Sequence, residues 1–190
     1  MSSWGASTSD ESKPKYLTDV EKRDCYADET GWTVPAGGND NPAALRETLV
    51  TIGELSGGAS GTVKLAAASV SSTRFITTAF AASDADFSAE VIFNEQVDVD
   101  TSGGTPTLEL TVTDTNGAAG GDKLSYVSGT GTNRLVFTAD DFSANETDVI
   151  SLGADKIDLE SGTIKDKGTN TNSSITHAAQ AATTNITVAA

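Results

Sequence analysis

"FSAEVIFNEQVDVDTSGGTPTLELTV" (residues 87–112) decides the fold class. In its first half Phe87, Ala89, Val91 and Phe93 fall at every second position. In its last part Leu108, Leu110 and Val112 alternate with Glu109 and Thr111. A period of two places each apolar set on one face of an extended strand. The turn-rich "DTSGGTP" separates the two runs. The same reading extends outward to "TRFITTAF", "LSYVS", "RLVFTA", "VISL" and "NITV", divided by "DTNGAAGGD", "GTGTN" and "SANETD". Many short strands with turn-rich gaps predict an antiparallel β-sandwich or barrel. "YVSGTGTNRLVF" (residues 126–137) carries the best hairpin signal, two β runs around a Gly-rich turn. "ITHAAQAATTNITV" is ambiguous: its alanines are compatible with a helical turn before a last strand, without requiring one. The expected core contains Phe87, Val91, Phe93, Leu108, Leu110, Val112, Leu135, Phe137 and Ile164.

Residues 1–60 read differently. Both tryptophans, Trp4 and Trp32, and two of the three tyrosines, Tyr16 and Tyr26, lie here, whereas all six phenylalanines come later. "TDVE" (Thr18 to Glu21) matches a capping box, so a short helix is expected over roughly Asp19–Asp28, stopped at Gly31. "VPAGGNDNP" is loop, "AALRETLV" a helical turn or an extended run, and "SGGASG" (Ser56 to Gly61) a linker. The expected organisation is an extended N-terminal arm with a short helix over 1–60 and a β-sandwich domain over 61–190.

Formal net charge is −15, from 27 acidic and 12 basic residues spread along the chain. That argues against a nucleic-acid partner, which needs a basic stripe. Leu, Ile, Val and Phe make up about 20% of the residues, near the composition at which chains stay disordered. The β periodicity argues for order after residue 63. Cys25 is the only cysteine, so no intrachain disulfide is expected. No apolar leader follows Met1, and no run of about 18 apolar residues occurs, so neither an export signal nor a membrane-spanning helix is expected.

Two resemblances carry functional expectations. From about Lys64 onward the chain resembles bacterial immunoglobulin-like domains, of the kind repeated in large surface proteins and in phage virion proteins. The stretches that carry it are residues 87–112, "LSYVSGTGTNRLVFT", "ISLGADKIDLESGTIKDKGTN" and "NITV". Ser161, Lys167 and Thr169 depart from that family's pattern, as do residues 171–182. The first 55 or so residues resemble the start of small structural proteins of marine T4-like tailed phages. "SWG", "ESKPKYLT" and "GWTVPAGGNDNPAALRETLVTIGEL" carry that likeness. Together they imply an immunoglobulin-like sandwich in a non-enzymatic virion protein. The location implied is the capsid surface, as a decoration protein, with the neck, tail or baseplate as the alternative. The partner would be the major capsid protein or another virion protein. A homo-oligomer and a weak host-glycan contact, as in an adhesin module, stay open.

The leader's aromatics then have an expected use. Trp and Tyr are enriched at binding hot spots. Trp4, Tyr16, Tyr26 and Trp32 are therefore the expected partner-binding residues of an arm that wraps over the particle. The alternative is that these rings fold back onto the sandwich or form a small core of their own.

Signals for chemistry are weak. His177 stands alone beside alanines, and Cys25 has no histidine near it in sequence. No His–Cys spacing suits zinc, and the Gly-rich runs lack the lysine of a phosphate loop. Asp98 with Asp100, Asp140 with Asp141, and Asp155 with Asp158 offer oxygens to calcium, but acids that keep strands soluble explain them equally. No cofactor, metal or catalytic residue is therefore assigned.

Overall fold

The computed structural model describes residues 13–53, 55, 56, 65–114 and 119–190. It is mainly β with almost no helix. After one helix, α1 (Asp19–Asp24), come the three strands of an N-terminal lobe: β1 (Tyr26–Asp28), β2 (Gly31–Val34) and β3 (Glu47–Thr51). The body follows with β4 (Val70–Phe75), β5 (Phe87–Asp100), β6 (Thr107–Thr113), β7 (Ala119–Ser128) and β8 (Thr132–Ala139). It ends with β9 (Val149–Ser151), β10 (Ile157–Asp158), β11 (Thr163–Asp166) and β12 (Ile186–Thr187), the last preceded by a 3₁₀ turn over Ala182–Thr184.

The sheet runs β12-β9-β6-β7-β8-β5-β1-β2-β3. Every pairing between body strands is antiparallel. The whole sheet is nevertheless mixed, because β1 joins β5 in parallel at Ala27 and Glu95. Long β5 pairs β4 through its first half and β11 through its second. Likewise β6 pairs β9 near one end and β10 near the other. Strands that change partners along their length let one sheet turn over on itself, an arrangement consistent with a β-sandwich.

The alternation read from the sequence is the alternation of burial. Leu108 and Leu110 are buried while Glu109 and Thr111 are partly exposed. Phe87, Val91, Phe93, Leu135, Phe137 and Ile164 lie in the same core, and Val112 packs against it half-buried. Phe87 is its centre: it stacks on Phe142 at 4.7 Å and meets Phe75 edge-on at 5.3 Å. Such ring pairs are worth about 0.5–1.5 kcal/mol beyond the area they bury. The hairpin of β7 and β8 sets Tyr126 opposite Phe137, and the Tyr126 hydroxyl accepts from the Thr130 N–H at 2.9 Å to brace the turn.

The N-terminal region departs from the expected arm. The capping box forms: Thr18 Oγ1 accepts from the Glu21 N–H, and Glu21 accepts from the Thr18 N–H at 2.8 Å. The helix stops at Asp24, however, because the buried Cys25 is extended and leads directly into β1, where Tyr26 and Ala27 are buried. Asp28 Oδ1 then accepts from the backbone of Thr30 and Gly31, tightening the turn from β1 into β2. Gly31 is therefore not a helix stop. It sits in β2 at φ 137°, where an added Cβ would lie 1.9 Å from the Val50 carbonyl oxygen. Of "AALRETLV", residues 47–50 lie in β3 and residues 43–46 lead into it without a helical turn, and most of the expected linker falls outside the described residues.

Candidate functional site: the N-terminal lobe and its seam

Leu17, Cys25, Ala27, Trp32, Val34, Ile52 and Leu55 close into a second apolar cluster, separate from that of the body. Trp32 is its largest member and is 2% exposed. The Lys13 ammonium stands 6.0 Å from the Trp32 ring centre. Burial pushes the Lys13 amine below its ordinary value and the Cys25 thiol above its own.

The four expected partner-binding aromatics therefore separate. Trp32 and Tyr26 are buried within the chain, so a partner would have to open the lobe to reach them. Tyr16 is 67% exposed. Trp4 lies outside the described residues. Few aliphatics occur in the leader, but Leu17 just before α1, Ala27 of β1, Val34 of β2, and Ile52 and Leu55 after β3 come together with Cys25 to enclose one indole. Sequence reasoning passed over Leu45, which is 84% exposed on the lobe. It immediately precedes Arg46 and β3, and β3 pairs only with β2 among the described residues. Tyr16, Leu45 and this strand edge are what the lobe offers to a partner.

The lobe rests on the outer face of the body. Glu90 and Ile92 point away from the core, yet both are buried. Across the strands, Arg74 of β4 is opposite Glu90, and Arg134 of β8 is opposite Ile92. From the lobe, Asp24 meets this row with no exposed side-chain surface: its Oδ1 lies 2.6 Å from Arg134 Nη2 and 2.7 Å from Arg23 Nε. Arg23 reaches on to Asp40 at 2.7 Å, Asp40 meets Arg74 at 3.1 Å, and Arg74 pairs with Glu90. Three arginines and three carboxylates form a neutral network across the seam. Burial raises the Asp24 carboxyl, but hydrogen bonds from Arg23, the charge of Arg134 and the Asn39 N–H outweigh it, leaving the group below its usual range. Asn133 adds Nδ2 to the Asp24 carbonyl at 3.4 Å. The sequence marks these residues only as charges in an amphipathic pattern, and nothing in their spacing shows that they meet.

Beside the seam is a polar cleft of about 440 Å³. Tyr26, Asp28, Arg46 and Ser56 of the lobe face Gln96 and Lys167 of the body across it. Arg46 is 2.5 Å from Asp28 and donates from Nε to the Tyr26 hydroxyl at 3.4 Å.

The remaining candidates have structural partners. His177 Nε2 accepts from the Lys156 N–H at 2.9 Å, and its Nδ1 lies 2.9 Å from the Ala178 carbonyl oxygen. Asp155 accepts from the His177 N–H, Asp100 from Ser102 and Asp158 from Glu160. Asp98, Asp140 and Asp141 are exposed. Among the described residues no group of three or more His, Cys, Asp or Glu is placed to hold a metal ion, and no helix is long and apolar enough to cross a membrane. No protein-family model, curated protein or solved structure matches the chain.

Proposed function

We propose that this chain is a non-enzymatic virion structural protein, a capsid decoration protein whose N-terminal lobe attaches and whose immunoglobulin-like body projects. The observation that carries this reading is the asymmetry of the lobe. It exposes Tyr16 and also Leu45, which leads into β3, a strand paired on one side only among the described residues, while its other described aromatics are enclosed. An exposed ring, and an exposed leucine next to such a strand edge, suit attachment to a protein surface. The resemblances of the first 55 residues and of the body supply the setting, and an acidic body resists non-specific sticking. Mass spectrometry of purified particles, followed by localisation in an electron-microscopy map, tests the proposal. Absence of the chain from the particle overturns it, and density at the neck, tail or baseplate moves the site of attachment.

The polar cleft supports a second reading, a glycan-contacting adhesin module, because planar side chains of both signs line it. Binding to a glycan array that Arg46→Ala and Gln96→Ala abolish would favour this reading.

A further inference from the structure

The lobe and the body each have their own apolar core, and between them ion pairs and hydrogen bonds surround one buried apolar side chain, Ile92. We infer that the seam is an acid-opened latch: protonation of its carboxylates releases the lobe from the body as a folded unit, before the body's core melts. The contacts that would resist release are few. They are the Ala27–Glu95 ladder pair, the Ser56 hydroxyl donating to the buried Glu95, the Asn133 amide on the Asp24 carbonyl, the Lys13 ammonium donating to Ser71 Oγ at 2.9 Å, and the burial of Ile92.

The charges that face each other come from every element at the seam. Asp24 faces Arg23 of its own helix, Arg134 of β8, the Asn39 N–H and, at longer range, Lys13. Glu90 faces Arg74 of β4 and Arg134 of β8, the latter at 3.8 Å. Asp40 bridges Arg23 and Arg74. Each arginine keeps its charge in acid, so protonating Asp24 and Asp40 leaves Arg134 and Arg74 without the lobe carboxylates that face them and sets Arg23 as a like charge across the seam. Both cores are built mainly from aliphatic and aromatic side chains, and the buried Asp166 of the body is held by neutral backbone N–H donors rather than by a cation. Only at the seam does acid strand arginines against each other, so the seam is weakened first.

The test uses the full chain. Amide ¹⁵N relaxation is followed from neutral pH to about pH 2.5, through the carboxylate range. One rotational correlation time is expected at neutral pH. Two are expected in acid, with signal dispersion retained for Trp32 and for Leu108–Val112. Asp24→Asn should raise the opening midpoint by about one pH unit or more, or open the seam at neutral pH. Asp19→Asn, an exposed acid on the same helix, should leave it in place. Should Asp24→Asn fail to fold, Asp40→Asn, which removes the other lobe carboxylate paired across the seam with Arg74, gives the same comparison. The inference is overturned if lobe and body lose dispersion together at a single midpoint. It is equally overturned if neither Asp24→Asn nor Asp40→Asn moves the opening.

Discussion

Arg134 Nη2 lies 2.6 Å from Asp24 Oδ1, and this contact ties the middle of β8 to the end of α1 across 110 residues of chain. Asp24 is fully buried and Arg134 is 20% exposed, so the pair sits in a partly dry seam. Removing one partner of a buried pair costs about 3–5 kcal/mol, and the residual exposure of Arg134 places this case at or below the lower end. A double-mutant cycle of Asp24→Asn with Arg134→Met should return a coupling of about 1–3 kcal/mol in chemical denaturation. Asp24 is held below its ordinary value, so its contribution is fully present above the unfolded carboxyl value of about 3.9 and is lost as pH falls through the folded one. Stability of Asp24→Asn should accordingly converge on that of the parent in strong acid.

Trp32→Ala should destabilise the lobe by about 3–5 kcal/mol, the usual cost of deleting a buried large aromatic. Hydrogen exchange should rise in β1, β2 and β3 while Leu108, Leu110 and Phe137 stay protected. In a Trp4→Phe background, fluorescence of the free protein should be that of a buried indole, because Trp32 is enclosed without any partner. Emission typical of solvated indole would contradict the lobe's fold.

Tyr16→Ala combined with Leu45→Ala should change the melting temperature little, since exposed substitutions stay within about 0.5 kcal/mol. Attachment to the particle should nevertheless be lost. Retained attachment would move the binding face elsewhere on the protein.

Asp166→Ala should cost about 1–3 kcal/mol, because one buried carboxylate accepts from three backbone donors: Gly168 at 2.7 Å, Thr169 at 2.9 Å and Ala68 at 2.9 Å. Asp166→Asn should recover part of that loss, since it keeps an acceptor oxygen. Equilibrium denaturation of the three proteins checks the order.

His177→Ala should remove one acceptor from the Lys156 N–H and lower stability by about 1 kcal/mol. No loss of particle attachment should accompany it, because the ring's two nitrogens both lie against backbone groups.

The strands of the body were legible in the chain because their cause is local. Leu108, Leu110, Phe87 and Val91 must share a face at a period of two wherever the strand goes, and the capping box at Thr18 needs only residues three apart. The lobe was not legible in the same way. Leu17, Ala27, Trp32, Val34, Ile52 and Leu55 belong to no single periodic run, and they become a core only when β1 pairs with β5 and β2 folds back on β1. Glu90 and Ile92 mark the same limit. Alternation turns them outward, as the sequence implies, but whether an outward face meets water or another layer depends on what the rest of the chain lays over it. Here the lobe covers that face, and so Asp24 and Glu90, which locally read as solvated charges, are buried against a partly covered Arg134 in the seam.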